Sequence, residues 1–376
     1  MKRTPWSALG FAAVAVLVAA ASGRAFLAMR VPEPIFEGPG VSRQRSLAAY
    51  NPLLRGRSAD TSVYFLDGAR PGGTVLVLGG THPNEPAGYL AAVLLVERAR
   101  VAAGRLIVVP RANGSAFTHN DPQEASPQTF EISTPGGPRI FRFGSRNTNP
   151  IDQWPDPDVY VHASSGQRLS GSEVRNLNRA FPGRPDGTFT EQIALAITTL
   201  ARAEEVDLVI DLHEASPEYP VINAIVAHER AMPLAAAVLL EMQMAGIQIG
   251  LEPSPRRLRG LSHRELGDHT PALAVLMETP NPSQGRIRGR TSAELVTGGR
   301  DATYERAAAA GRLFVPFDPG GWPIEVRVGR HLAGVGLFAA RLGTVRAGRA
   351  VVLDDLPDLA ALRRDGLGRY LSPPRP

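Results

Sequence analysis

The 376-residue sequence is 43% hydrophobic and 20% charged, with no cysteine. It can bury a full core without staples, and disulfides, thiolate metal ligands and cysteine nucleophiles are excluded. The formal charge is +5 and the pI about 9.9, yet Lys2 is the only lysine and the arginines lie scattered among Ala, Gly and Pro, so there is no basic stripe and no nucleic-acid partner is expected. A mean hydropathy of -0.09 excludes a polytopic membrane protein.

Lys2 and Arg3 lead into an apolar run, Ala8 to Ala21, that closes in small residues through Gly23 before Arg24. This is the form of an export signal. Phe26, Leu27 and Met29 extend the run towards the ~20 residues of a spanning helix. Residues 1–30 therefore read as a signal peptide or signal anchor, and the protein as exported, periplasmic or held on the inner membrane by this segment alone. Residues 31–60, rich in Pro, Gly and Arg without periodicity, read as a linker.

The main folded domain is expected over 61–320. "TVLVLGG" (74–80) is a β-branched run stopped by glycines, and "EPAGYLAAVLLVERAR" (85–100) follows with helical spacing and an early proline. Further strands are expected at 105–110, 205–213, 221–227 and 272–278, with helices at 190–205 and 229–246. Continuous apolar strands alternating with amphipathic helices imply an α/β fold, a mainly parallel or mixed sheet covered by helices on both faces. Residues 111–172 carry no long periodic segment and read as a long loop walling a site. The extension 321–376, with "IEVRV" and "AVVLDD", reads as a small β-like appendage.

In an open parallel sheet, ligands bind beyond the carboxyl ends of the strands. His82 and Glu85 follow the first expected strand, His213 ends another and Glu278 a third. The H-x-x-E spacing alone is weak, since a turn histidine bonded to backbone is the commoner case; the convergence of three strand ends raises it. Two histidines and one carboxylate with a fourth position open suit a catalytic zinc, one per chain. Glu278 is then free to take a proton from the water that occupies this position. In "RNLNRAFPGRPDG" (175–187), Asn178 and Arg179 offer a guanidinium fork for a substrate carboxylate, although a surface arginine is the plainer reading of Arg179 by itself.

"GGTHPNEPAG", "NLNRAFPG", "DLHE" and "METPNPSQG", in that order across residues 74–290, resemble the succinylglutamate desuccinylase/aspartoacylase family within the zinc carboxypeptidase superfamily. The resemblance implies zinc on His82, Glu85 and His213, Glu278 as base, and Asn178 with Arg179 gripping a substrate carboxylate. It also implies hydrolysis of an amide bond in an N-acyl amino acid or short peptide. The family has a further arginine that polarises the scissile carbonyl; Arg142, Arg146 and Arg168 are available, and Arg146 is the one expected to serve. Asn176 stands where the family usually carries an aspartate. Two other readings remain: an exported zinc carboxypeptidase or cell-wall peptide amidase, and a non-enzymatic metal-containing binding module.

Overall fold

The computed structural model describes residues 5–121, 126–314, 317 and 320–374; Lys2, Arg3 and residues 122–125 of the expected loop lie outside them. A helix, α1 (Pro5–Ala28), is followed by β1 (Arg43–Ser46), β2 (Ser62–Asp67), β3 (Arg70–Leu78), α2 (Pro86–Arg98) and β4 (Arg100–Val109). Two hairpins come next, β5 (Thr129–Thr134) with β6 (Gly137–Arg142) and β7 (Val159–Val161) with β8 (Arg168–Ser170). Then follow α3 (Phe189–Ala203), β9 (Leu208–Ala215), β10 (Ala224–Ala227), α4 (Met232–Met244), β11 (Gly250–Pro253), α5 (Ser262–His269) and β12 (Leu273–Pro280). The chain closes with α6 (Ala293–Gly298), α7 (Ala302–Ala309), α8 (Ile324–Val345), β13 (Val352–Asp354) and α9 (Leu359–Asp365).

The main sheet runs β1-β2-β4-β3-β9-β12-β10-β11, with β13 added along β4. Strands β4, β3, β9 and β12 are mutually parallel, and β2 and β10 run against them. Alternation along β3 shows why both faces need cover. Val75 and Val77 enter one core with α2, α4 and α8, whereas Leu76 and Leu78 enter a second with α3. The expected mixed α/β sheet covered on both faces is the observed architecture.

Three expectations change. Residues 31–60 are no free linker: β1 pairs antiparallel with β2, and Leu47 and Leu54 are fully buried in the second core. Among the described residues of 111–172, 129–142 and 159–170 form the two hairpins rather than loop, while Arg146 from this region does line the cleft. The C-terminal extension is no β appendage either, because "IEVRV" opens the 22-residue helix α8. Ile324, Val328, Leu332, Val335, Phe338 and Leu342 are all buried along it, a spacing of three to four that the β-branched composition of its first turn conceals. Among the described residues of the extension only β13 is a strand, and it joins the main sheet. The flanks expected at 31–60 and 321–376 are thus part of the folded body.

α1 stands apart from this body. Its span Trp6–Ala28 has a mean hydropathy of 1.9 and none of it is buried, so by length and composition it could cross a membrane. Its end is tied down: Arg142 donates to the carbonyls of Ala28 and Val31, and Met29 is buried.

A buried ion pair clasps the two chain ends. Glu97 on α2 accepts from Arg139 Nη1 at 2.8 and 2.9 Å, from Phe36 N at 3.2 Å and from Ser372 N at 2.7 Å. Arg139 also donates to the Pro34 carbonyl at 2.8 Å. Breaking such a pair strands one buried charge, which costs about 3–5 kcal/mol. Arg139→Met should therefore lower the denaturant midpoint by that equivalent, while the double substitution Glu97→Leu with Arg139→Met recovers a large part of it; equal losses in the two would contradict the clasp.

Candidate active site

The turn after β3 is built on backbone that only glycine adopts easily. Gly80 has φ +66, and a Cβ at Gly88 would come 2.3 Å from the Leu212 carbonyl oxygen. The start of α2 can therefore lie directly on β9. Pro86 occupies the first position of α2, and Glu85 precedes it as the cap residue. This close approach carries Glu85 to the end of β9, where His213 sits; Glu278 pairs with His213 in register on the adjacent parallel strand.

His82, Glu85 and His213 are all buried and offer ligand atoms within 4.8 Å of one another. Glu85 Oε1 lies 2.8 Å from His82 Nδ1, and Oε2 lies 2.9 Å from His213 Nδ1. Each ring is held from behind. His82 Nε2 is 2.9 Å from Asn176 Oδ1, and His213 Nε2 is 2.9 Å from Asp211 Oδ2. With Nε2–H donating in both rings and any proton on Nδ1 given up, both Nδ1 lone pairs would face one point beside the Glu85 carboxylate, a donor set that fits zinc. Asp211 is fixed in turn by the hydroxyls of Thr81 and Ser262.

The electrostatics suit a cation. Burial, then the Arg146 guanidinium, lowers His82 to about 4, leaving a neutral imidazole. Burial opposes ionisation of Glu85, but its contacts to the two rings hold it well below the usual carboxylate range. Burial likewise opposes a charged His213, yet the Asp211 and Glu85 carboxylates raise it well above its usual value, so this ring carries the positive charge beside Glu85. Asp211, likewise opposed by burial, is kept low by His213 and the two hydroxyls. Glu278 presents an Oε2 atom that is sealed from solvent and unpartnered.

These residues line a cleft of about 870 Å³ together with Arg146, Glu173, Asn178, Arg179, Tyr219, Leu258, Arg286 and Arg288. All seven expected site residues thus reach one cleft. Of the three arginines considered upstream, only Arg146 is there, with Nη1 3.2 Å from Glu85 Oε1. Arg142 is engaged at the end of α1, and Arg168 lies on the β8 hairpin strand. Asn178 accepts from Ser262 N at 2.8 Å through its Oδ1, which leaves its amide NH₂ to donate. Arg179 Nη1 donates to the Asn178 carbonyl at 2.7 Å.

Several participants escaped the sequence reading. Asp211 was legible in principle, because positions i and i+2 of a strand share a face. Glu214 directly follows His213 in "DLHE". It is fully buried against Arg327 of α8 at 2.7 Å and accepts from Ala87 N at 2.8 Å, so it fastens the start of α2 to α8, whose Arg327 lies 113 residues beyond Glu214. Glu173 carried no motif at all.

Residues 160–273 match the model of the succinylglutamate desuccinylase/aspartoacylase catalytic domain. This segment contains Asn176 to Arg179 and His213 and stops short of His82, Glu85 and Glu278. The chain is 29% identical over 159 residues to the N-alpha-acetyl-L-2,4-diaminobutyric acid deacetylase of Halomonas elongata, a match covering 42% of this chain and 33% of that one; it spans about a third of that relative's length. Among solved structures, a metallo-carboxypeptidase from Burkholderia cenocepacia aligns with a TM-score of 0.46 at 13% identity, over 85% of this chain and 68% of the other. An aspartoacylase family protein from Mesorhizobium loti aligns at 0.36 and 24% identity, over 58% and 55%. Over residues 160–273, which hold the "NLNRAFPG" and "DLHE" motifs, the chain is thus similar to the catalytic domain of the succinylglutamate desuccinylase/aspartoacylase family.

Proposed function

We propose that the chain is an exported zinc hydrolase that cleaves an amide bond in a carboxylate-bearing N-acyl amino acid. The observation that carries this reading is the pair of Nδ1 atoms converging on Glu85, with Glu278 in register beside His213. His82, Glu85 and His213 would hold the metal. When bound, zinc supplies a Lewis acid that polarises a carbonyl and acidifies water. Glu278 takes the proton of the attacking water on Oε2 and returns it to the leaving nitrogen. Arg146, already at the Glu85 carboxylate, donates to the carbonyl oxygen as negative charge develops there. The Asn178 amide and the Arg179 guanidinium orient the substrate carboxylate. Export rests on α1, which serves as signal or anchor.

A second reading keeps the chemistry and enlarges the substrate to a peptide, as in a carboxypeptidase or cell-wall peptide amidase. It is favoured by the cleft volume of about 870 Å³, at the upper end of small-ligand sites of roughly 300–1,000 Å³, and by the apolar wall of Tyr219, Pro220, Val221 and Leu258. Comparison of N-acyl amino acids with tripeptides as substrates separates the two.

Elemental analysis should find one zinc per wild-type chain and none in His213→Ala; a wild type that takes up no zinc would remove the basis of the hydrolase reading. Glu278→Gln should keep its zinc while kcat falls about 10²–10⁴-fold, whereas a purely structural metal module would be indifferent to the change. Arg179→Ala should raise KM by about tenfold or more through loss of a charge-assisted hydrogen bond, with zinc content unchanged.

Glu278 also gives a pH signature. Burial, reinforced by the Glu85 charge, pushes its carboxyl up to about 8 in the metal-free chain. The folded protein then keeps this proton after the unfolded chain has lost it, so stability falls as pH climbs from the ordinary value of 4.5 towards 8. Glu278→Gln cannot ionise and escapes that loss. In chelator its melting temperature should exceed wild type by a margin that widens across this window, and a margin flat with pH would contradict the burial of an uncompensated carboxyl.

A further inference from the structure

Asn176 occupies the position behind His82 where a carboxylate would ordinarily supply negative charge to a metal-bound imidazole. Its amide has a fixed orientation. The backbone N–H of Asn178 donates to Asn176 Oδ1 at 3.0 Å, and a backbone amide can only donate. Oδ1 is therefore the oxygen, the contact to His82 Nε2 at 2.9 Å must be donated by the imidazole, and Nδ2 points the other way. There it meets Glu173, donating to Oε2 at 2.7 Å. Asn176 is fully buried, while the Glu173 side chain is 31% exposed on the cleft wall. The same Oε2 lies 3.5 Å from Arg179 Nε.

We propose that Glu173 is a positioning residue that provides, through the Asn176 amide, the negative charge supporting His82 as a metal ligand, so that Asn176 and Glu173 together stand in for a single acid. The inference rests on the zinc-hydrolase reading of the site. The amide is the required intermediary: its oxygen accepts from the imidazole and its NH₂ donates to the carboxylate, so the dipoles line up from His82 to Glu173. An aspartate at 176 would instead set two carboxylates 2.7 Å apart and repel Glu173. The two positions are thus coupled, and the acid can be moved inward only if the outer residue becomes the amide. Contact with Arg179 links the same carboxylate to the guanidinium that faces the substrate.

The test is a swap in the full chain, read as zinc affinity by competition with a chromophoric chelator. Glu173→Gln keeps a hydrogen-bond acceptor but loses the charge, and should weaken zinc binding about tenfold, at the low end for groups supporting a ligand histidine. Asn176→Asp alone should weaken it by a similar factor through the carboxylate clash. The double substitution Glu173→Gln with Asn176→Asp restores the contact with the roles exchanged, the new amide at position 173 donating to the new carboxylate at position 176. It should return within about threefold of wild type by the logic of a double-mutant cycle. Melting curves in chelator establish that each variant is folded; should Asn176→Asp alone not fold, Glu173→Gln against the double substitution decides. Wild-type zinc affinity in Glu173→Gln, or a double substitution no tighter than the weaker single one, overturns the assignment. Wild type that binds no zinc would instead overturn the hydrolase reading, and this role with it.

Discussion

The site depends on one constraint: two imidazoles must turn their Nδ1 atoms towards the same carboxylate. Neither ring could hold that orientation unaided, because an imidazole rotates freely unless its second nitrogen is bonded. Asn176 and Asp211 supply that bond at 2.9 Å each, and both acceptors are fully buried. They come from different parts of the chain, a short turn for Asn176 and the strand β9 for Asp211. Orientation at the candidate metal position is therefore a property of the whole α/β body.

The body achieves this by anchoring the start of α2, which follows the turn carrying His82 and Glu85, onto β9. Gly88 lets α2 approach β9 without a side chain between them. Glu214 accepts from Ala87 N and is neutralised by Arg327, so the buried charge that pins the start of α2 has a partner. Arg327 belongs to α8, a helix that lines none of the cleft itself but bonds the cleft residue Glu214 from behind. The C-terminal extension thus helps position the site without lining the cleft, and the clasp at Glu97 ties segments from both ends of the fold, at Phe36 and Ser372, to the same helix α2.

The candidate metal ligands and Glu278 could be read from the sequence because strand ends in a parallel sheet all point to one edge, and apolar runs mark those ends plainly. Asn178 and Arg179 were placed at the cleft only through their motif, since no periodicity surrounds them. What misled was composition. Isoleucine and valine in "IEVRV" suggested a strand, while the buried spacing of Ile324, Val328 and Leu332 is helical and emerges only over three turns. Likewise the proline- and arginine-rich stretch 31–60 hid Leu47 and Leu54, which are buried because β1 adds to the sheet edge.

The sequence by itself determined the sheet class and the convergence of His82, Glu85, His213 and Glu278, because each follows from local spacing and the fixed geometry of strand ends. Tertiary structure alone decided which arginine reaches the cleft. Arg142, Arg146 and Arg168 are equivalent in sequence, but hairpin packing turns Arg142 to the end of α1 and Arg146 to Glu85. It also decided that Asn176 is backed by Glu173. A hydrogen-bonded chain across three residues depends on which way an amide is turned, and here a backbone N–H from Asn178 turns it.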